Sequence, residues 1–227
     1  MHAMQSSFGW LDGLAIIWFI LLWVGYSWYT DRGVSAKTGL VVASHQHRVF
    51  WAKSILSRGL QVADAVLVGN LMSSVSFYAS TTIYVLAGLL ALMGTVDKVI
   101  LFASSFSYYQ GTSREVWEFK LLLLVVVFVI AYFKFTWSLR QFNFLSILLG
   151  AAPSTSEDHA VYADRLAKLN TYAGDEFNRG IRAYYFGLAA IAWFIQPLAF
   201  IVASTLVVII LYRRDFASEA LDAMQSH

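Results

Sequence analysis

The chain has 227 residues, of which 59% are hydrophobic and 13% are charged. Soluble domains carry about 25% charged residues, so this composition indicates a protein whose main solvent is lipid. The formal net charge of +2 gives little electrostatic support for binding nucleic acid. The sequence contains no cysteine, which excludes disulfides, cysteine nucleophiles, zinc–thiolate sites and iron–sulfur ligation.

Four long apolar runs follow one another along the chain, at residues 10–30, 65–94, 119–137 and 183–212. A helix needs about 20 mostly apolar residues to cross the hydrocarbon core of a bilayer. The predicted fold class is therefore all-α: a polytopic membrane protein with four transmembrane helices in a single membrane domain over residues 1–227. The residues before the first run include no Lys or Arg, so that run is interpreted as a retained helix rather than a cleaved signal peptide.

Two long polar stretches, residues 31–64 and 140–182, separate these runs, and both show helical periodicity. In the first, Val49, Ala52 and Ile55 recur on one face of a helix, and in the second Leu166 and Leu169 do the same. Both stretches are predicted to be amphipathic cytoplasmic helical segments, which either lie on the membrane surface or continue a membrane helix. Because the order of helix, polar segment and helix occurs twice, a parallel structural repeat is an alternative to a plain four-helix bundle.

The distribution of Lys and Arg predicts the orientation, because an excess of these residues marks the cytoplasmic side. Eleven of the sixteen lie in the two polar stretches or at the adjoining end of the third run, and five lie on the other side. Both polar stretches are therefore predicted to be cytoplasmic and both termini periplasmic. Arg213 and Arg214, at the end of the fourth run, argue mildly against this orientation.

The second apolar run carries more polar residues than the other three. On a helix, a broad stripe of hydroxyl and amide side chains forms a candidate polar path, which either lines a water-filled channel or supports close helix packing. Packing is the commoner use of such residues in membranes. The residues of this stripe are Asn70, Ser73, Ser74, Ser80 and Thr81.

Charged and amide residues near the cytoplasmic ends of the runs form a second candidate site. Arg48 is the most unusual, because the helical pattern places it within the apolar arc of its segment. A buried guanidinium is costly unless it is paired. Arg48 therefore has two interpretations: a functional one, in which it contacts an anion or lines a pore, and a structural one, in which it pairs with a carboxylate or extends to lipid headgroups. The wider cluster is either a functional mouth of the bundle or a structural network. Its residues are Arg48, Arg58, Asp64, Asn178, Arg179 and Arg182, and the carboxylates open to Arg48 are Asp64, Asp175 and Glu176.

The sequence shows no constellation that indicates catalysis, a metal site or a cofactor. His45 and His47 lie about 200° apart on a helix and so do not easily share a metal, although on a strand they would. The motifs G-x-S-x-G and H-E-x-x-H, the P-loop and the dinucleotide fingerprint are all absent from the sequence. We therefore predict a protein without catalytic, metal-binding or cofactor-binding residues.

Several stretches together resemble domain-of-unknown-function family 599, which comprises bacterial and plant membrane proteins. The stretches are RGLQVAD at 58–64, GN at 69–70 with SFYASTT at 76–82, FTWSLRQFNF at 135–144 and FNRGIRAYYF at 177–186. The resemblance covers nearly the whole chain and implies an integral membrane protein with about four helices, here assigned to a bacterial inner (plasma) membrane. It implies no activity, substrate or cofactor.

Three functions are compatible with these features. The first is a non-enzymatic, homo-oligomeric and channel-like membrane protein, supported by the polar stripe and the basic cytoplasmic ends. The second is an accessory or scaffolding subunit of a larger membrane complex, and the third, least favoured, is a membrane-embedded enzyme. The expected partners are the lipid bilayer and either further copies of this chain or other membrane subunits, and not nucleic acid.

Overall fold

The computed structural model describes residues 8–32, 39–59, 61–105, 113–153 and 159–225. All regular secondary structure in these residues is helical. The helices are α1 (Trp10–Arg32), α2 (Leu40–Arg58), α3 (Val62–Gly94), α4 (Val96–Ala103), α5 (Arg114–Gly150), α6 (His159–Ile191), α7 (Pro197–Phe216) and α8 (Glu219–Gln225), with a short 3-10 turn at Ala192–Phe194.

Four helices, α1, α3, α5 and α7, are long and apolar enough to cross a membrane. Their most apolar segments have mean hydropathies between 1.6 and 2.3. This confirms the predicted fold class, an all-α polytopic membrane protein. The third predicted helix is longer than expected, because α5 continues beyond residue 137 to Gly150.

The prediction of one membrane helix over residues 183–212 is wrong. α6 begins at His159 and continues through Arg182 to Ile191 without interruption. After a short turn, α7 begins at Pro197, directly after an extended Gln196 with φ −167° and ψ 155°. Proline lacks a backbone N–H and disfavours a helical conformation in the residue before it, so a helix cannot run smoothly through this point.

The apolar end of α6 packs against protein over most of its circumference, and Leu188 and Ile191 on the remaining face are 46% and 50% exposed. Ala190 is 1% exposed, and Phe186 is fully buried with its ring 5.6 Å from that of Phe19 in α1. Tyr184 lies edge-on to Phe128 of α5, with ring centroids 5.3 Å apart. α6 therefore forms the centre of the bundle, and its apolar end joins that of α7 into one continuous run in the sequence.

α5 and α6 form a long antiparallel pair. Near the start of α5, the Lys120 ammonium donates to the carbonyl oxygen of Trp193 over 2.9 Å. Further along, the Ser138 hydroxyl donates to the carbonyl oxygen of Ala173 over 2.7 Å. The second polar stretch is part of α6, which continues into the bundle beside α5, whereas the first polar stretch forms the separate helix α2. The two halves of the chain therefore differ in structure, and the fold does not support a parallel repeat.

α7 runs parallel to α1. The indole of Trp193, just before α7, donates to Asp12 near the start of α1 over 2.7 Å. At the other end, the Tyr26 hydroxyl donates to Asp215 over 2.8 Å. α8 then packs on α2, where His47 Nε2 lies 3.1 Å from the carbonyl oxygen of Met224.

This arrangement corrects the predicted topology. Trp10 and α8 lie at opposite ends of the bundle, so the prediction that both termini lie on one side is wrong. Arg213 and Arg214 lie in the last turn of α7, at the end of the bundle that carries α2. These two cations therefore lie on the same side as the other cations and no longer disagree with the predicted orientation. We call this end, where α1, α2, α6 and α7 meet near Asp31, the polar end.

Candidate functional site

Two arginines of α6 converge on one carboxylate at the end of α1. Arg182 donates from Nη2 to Asp31 over 2.6 Å and from Nη1 to the Thr30 hydroxyl over 2.8 Å. Arg179 donates from Nε to the second oxygen of Asp31 over 2.8 Å. Arg182 is only 5% exposed, so these charge-assisted bonds fix the end of α1 to the middle of α6.

A second carboxylate extends this network to α5. Glu176, which is 8% exposed, accepts a hydrogen bond from Arg179 and lies 3.0 Å from the ammonium of Lys134. The three cations therefore face two carboxylates. Arg179 and Arg182 are already paired within the chain, which favours the structural-network interpretation for these two members of the predicted cluster.

A polar cavity of about 540 Å³ opens beside this network, between α1, α2, α6 and α7. Two further carboxylates, Asp175 and Asp215, form part of its wall, together with His45 and Asn178. His45 Nδ1 lies 2.8 Å from the hydroxyl of Thr171, so this imidazole is held in place by α6. The cavity is large enough for a small solute and presents both charge signs to it.

Asp175 gives the cavity a pH-dependent group. Burial raises the pKa of Asp175 above its ordinary value of 3.8, and the charges of Arg48 and Arg179 only partly oppose that shift. The folded protein therefore binds this proton more tightly than the unfolded chain does. Tighter proton binding by Asp175 stabilises the folded state. This stabilisation is complete below pH 3.8 and is lost as the pH rises through the raised pKa of Asp175.

Asp175→Asn is therefore expected to gain stability relative to the unchanged protein as the pH rises from about 4 to 8. The measurement is the thermal unfolding midpoint of both proteins in detergent across this pH range, followed by tryptophan fluorescence. Asp164→Asn is the control, because Asp164 is exposed on the same helix and pairs with Lys168. A difference between Asp175→Asn and the unchanged protein that does not vary with pH would contradict the prediction.

Arg58 and Asp64 belong to a different structure. Arg58 donates from both terminal nitrogens to the two oxygens of Asp64, over 3.0 and 2.7 Å. Trp51 and the backbone of Gln61 also donate to Asp64, and Gln61 and Asp64 together form a capping box at the start of α3. Since Asp64 accepts four hydrogen bonds, its role in the structure is to join α2 to α3.

Arg48 lies apart from both networks. Its guanidinium lies against Gly174 of α6, where a side-chain carbon added to the glycine would come within 2.9 Å of Cζ. Burial lowers the pKa of Arg48, and the charge of Asp175 opposes this shift. The predicted cluster therefore divides into three parts: the Asp31 network with Arg179 and Arg182, the Arg58–Asp64 cap, and Arg48 with Asn178 near the cavities beside α2.

Most of the candidate polar path on α3 is exposed, and one of its residues, Ser74, also lines a cavity that α3 shares with α2 and α6. α3 packs on α5 through Val68, Val75 and Ala79, with α4 at its far end. Thr81 is half-buried and donates to the carbonyl oxygen of Tyr78. The other four residues of the path are exposed: Asn70, Ser73, Ser74 and Ser80.

Several residues of the polar end were not singled out from the sequence as members of the cluster. Asp31 and Thr30 end the first apolar run, and Lys134 interrupts the third, so each was visible as a polar group at the boundary of a run. The position of Asp215 was not predictable in this way. It reaches Tyr26 only because α7 packs parallel to α1, which is a tertiary contact. In the described part of the chain, no group of three or more His, Asp and Glu side chains is placed to hold a metal ion.

Comparison with known proteins agrees with the resemblance found in the sequence. Residues 14–220 match the family described as "Protein of unknown function, DUF599". The chain belongs to the DUF599 family. The match extends from α1 into α8 and so includes the polar end, the cavities and the exposed face of α3. No curated protein and no solved structure matches the chain.

Proposed function

We propose that this DUF599 protein is a non-enzymatic, homo-oligomeric membrane protein in which the polar face of α3 meets another copy of the chain and lines a shared path. The observation that carries the proposal is the exposure of Asn70, Ser73, Ser74 and Ser80 on a helix that is apolar enough to cross a membrane. The Ser74 hydroxyl donates to the carbonyl oxygen of Asn70. Hydrocarbon offers no partner to the amide of Asn70 or to the hydroxyls of Ser73 and Ser80, so contact with protein or water is favoured for these three groups.

Small residues on the same face favour a close neighbour. Gly69, Ser73, Ser76, Ser80 and Ala87 fall within about 60° of one another on a helix and are all exposed. Small residues at this spacing allow two membrane helices to approach closely, and serine hydroxyls then bond across the contact. The face of α3 that is uncovered in one copy therefore suits the surface of a second copy.

The interior of a single chain supports a path between copies rather than through one copy. At the middle of the α5–α6 pair, Phe128, Phe135 and Phe186 are between 0 and 1% exposed and fill the bundle. Arg179 and Arg182 are paired with Asp31, so they do not form a free cationic ring. A polar path lined by α3 thus requires several copies of α3 around an axis.

Disulfide cross-linking tests the contact directly, because the chain has no cysteine of its own. Ser73→Cys is expected to give a covalent dimer on mild oxidation in native membranes. Ile209→Cys, on the exposed apolar face of α7, is the matched control and is expected to remain monomeric. Equal cross-linking of the two variants, or none with Ser73→Cys, would contradict an α3 interface, and co-purification of other chains with an isolated monomer would favour the accessory-subunit function.

Ion flux from liposomes tests the path. Ser73→Leu and Ser80→Leu are expected to reduce flux while leaving the amount of folded protein unchanged, because each replaces a hydroxyl at the lining with a larger apolar group. The control is Leu206→Ile, which changes an exposed side chain of α7. If flux is present and neither serine variant alters it, α3 does not line the path.

A further inference from the structure

Two further cavities both include Arg48 in their walls. One, of about 510 Å³, lies between α2, α3 and α6, and the other, of about 450 Å³, lies between α2, α6, α7 and α8. Arg48 and Asn178 form part of both walls. The guanidinium reaches this position because Gly174 has no side chain to occupy it.

Some polar side chains in the wall of the larger cavity are hydrogen-bonded within the described chain: Trp51 to Asp64, His47 to Met224 and Ser74 to Asn70. Three others, Arg48, Asn170 and Asn178, are not. Among the described residues, Arg48 forms no hydrogen bond and has no carboxylate oxygen within 4.0 Å of its guanidinium nitrogens. Asn170, which is only 4% exposed, and Asn178 likewise form no hydrogen bond with any described residue. Asn170 is buried and Arg48 is half-buried, and the polar atoms of both are open to the cavity rather than bonded to an acceptor of the described chain. This arrangement suits a partner that accepts hydrogen bonds and carries negative charge.

Apolar side chains form another part of the wall of the larger cavity, which reaches the outer surface of α3. Val75 and Phe142 lie in its wall and are 2% and 3% exposed. Leu67 and Leu71 of α3 also lie in the wall, yet they are 49% and 38% exposed, so the cavity extends to the outer surface of a helix that is apolar enough to cross a membrane. A ligand that contacts both Arg48 and the leucines of α3 would carry an anionic group and an aliphatic chain.

We propose that this cavity binds the phosphate group of an anionic lipid, with the phosphate against Arg48 and Asn170 and an acyl chain leaving past Leu67 and Leu71. Arginine binds phosphate through several N–H groups at once, and such charge-assisted bonds are about twice as strong as neutral ones. The amide N–H of Asn170, one turn before Gly174 on α6, adds a further donor in the same cavity. All residues of the site belong to one copy of the chain, and Ser74 of the proposed α3 interface also lies in the cavity wall.

The chemistry that these residues recognise is a phosphate, which also occurs free in solution. The experiment therefore compares phosphatidic acid, phosphatidylcholine and inorganic phosphate as ligands of the full-length protein in a non-ionic detergent. Binding is measured by the quenching of tryptophan fluorescence with phosphatidic acid that carries bromine on its acyl chain, since Trp51 lies in the cavity wall. Inorganic phosphate is then added as a competitor.

Arg48→Gln is the test variant, and Lys53→Gln is its matched control, because Lys53 is an exposed cation on the same helix. We expect phosphatidic acid to bind the unchanged protein and Lys53→Gln equally, phosphatidylcholine to bind more weakly, and the Kd for Arg48→Gln to rise about tenfold or more. Asn170→Ala removes the amide donor of α6 and keeps Arg48. This variant is expected to give a smaller rise in the Kd for phosphatidic acid.

The experiment distinguishes three alternatives: a lipid phosphate as the ligand, a soluble phosphate as the ligand, and a purely structural role for Arg48. Poor competition by inorganic phosphate supports a lipid ligand, whereas full competition would overturn the lipid and leave a soluble phosphate as the ligand. Equal losses for Arg48→Gln and Lys53→Gln would overturn the site in favour of general surface charge. No binding of phosphatidic acid to the unchanged protein, with Arg48→Gln less stable than it in lipid-free detergent, would show Arg48 to be structural only.

Discussion

Asp31→Asn is expected to lower the free energy of unfolding by about 2–4 kcal/mol. The reason is that both Arg179 and Arg182 lose their shared counter-charge, and Arg182 has a side chain that is only 6% exposed. Loss of Asp31 leaves the buried cation of Arg182 without its counter-charge. Because the side chains of Asp31 and Arg179 are 25% and 36% exposed, the loss is smaller than the roughly 3–5 kcal/mol expected for a fully buried pair. The measurement is unfolding of the detergent-solubilised protein by increasing amounts of a denaturing detergent, followed by circular dichroism.

Asp164→Asn serves as the control for the loss of an aspartate charge. Asp164 and Lys168 form an ion pair of 2.7 Å on the surface of α6, and both side chains are 57% exposed. Exposed pairs at this spacing contribute about 0.3–0.5 kcal/mol, so the control should barely change the unfolding transition. Similar losses in the two variants would show that the Asp31 network is not the fixed junction between α1 and α6.

Gly180→Ala is expected to destabilise the fold by about 1–3 kcal/mol even though alanine favours a helix. A side-chain carbon on Gly180 would lie 2.5 Å from the ring of Phe135. That ring is fully buried and stacks on Tyr78 with centroids 5.5 Å apart, so it has little room to move. The same unfolding titration measures the effect, because the close approach of α5 and α6 must open to admit the methyl group.

Gly25→Ala is the matched control for this substitution. Gly25 lies within α1, and nothing lies within 4 Å of the position that its side-chain carbon would occupy. Alanine should therefore raise stability by up to about 1 kcal/mol through helix propensity alone. If Gly180→Ala also stabilised the protein, the contact between α6 and Phe135 would be looser than the structure describes.

Individual positions show how far sequence patterns predict this fold. Apolar length identified α1, α3 and the membrane character of the chain, because burial in lipid requires only composition and length. The same criterion failed at residues 183–212, because the end of α6 is buried by protein whereas α7 has the composition of a membrane span. Pro197, directly after Gln196, was a signal of the break that hydropathy alone does not register.

The candidate site divides in the same way. Depth along the predicted helices identified Arg179, Arg182 and Asp64 as candidate site residues. Arg179 and Arg182 lie at the polar end, whereas Asp64 lies at the junction of α2 and α3. It did not predict that Asp31 accepts from both arginines, or that Asp64 caps α3 and pairs with Arg58. Depth along a helix follows from counting residues, whereas the choice of partner depends on which helices are neighbours and how they are rotated.

The sequence by itself determined the all-α polytopic architecture, the excess of cations at one end and the polar stripe of α3, because each depends on composition and helical period. The tertiary structure alone decided that α7 runs parallel to α1, that Arg182 is paired while Arg48 is left without an acceptor in the described chain, and that the stripe of α3 faces outward. These features depend on contacts between residues up to 189 positions apart, such as Tyr26 and Asp215, which no local pattern encodes.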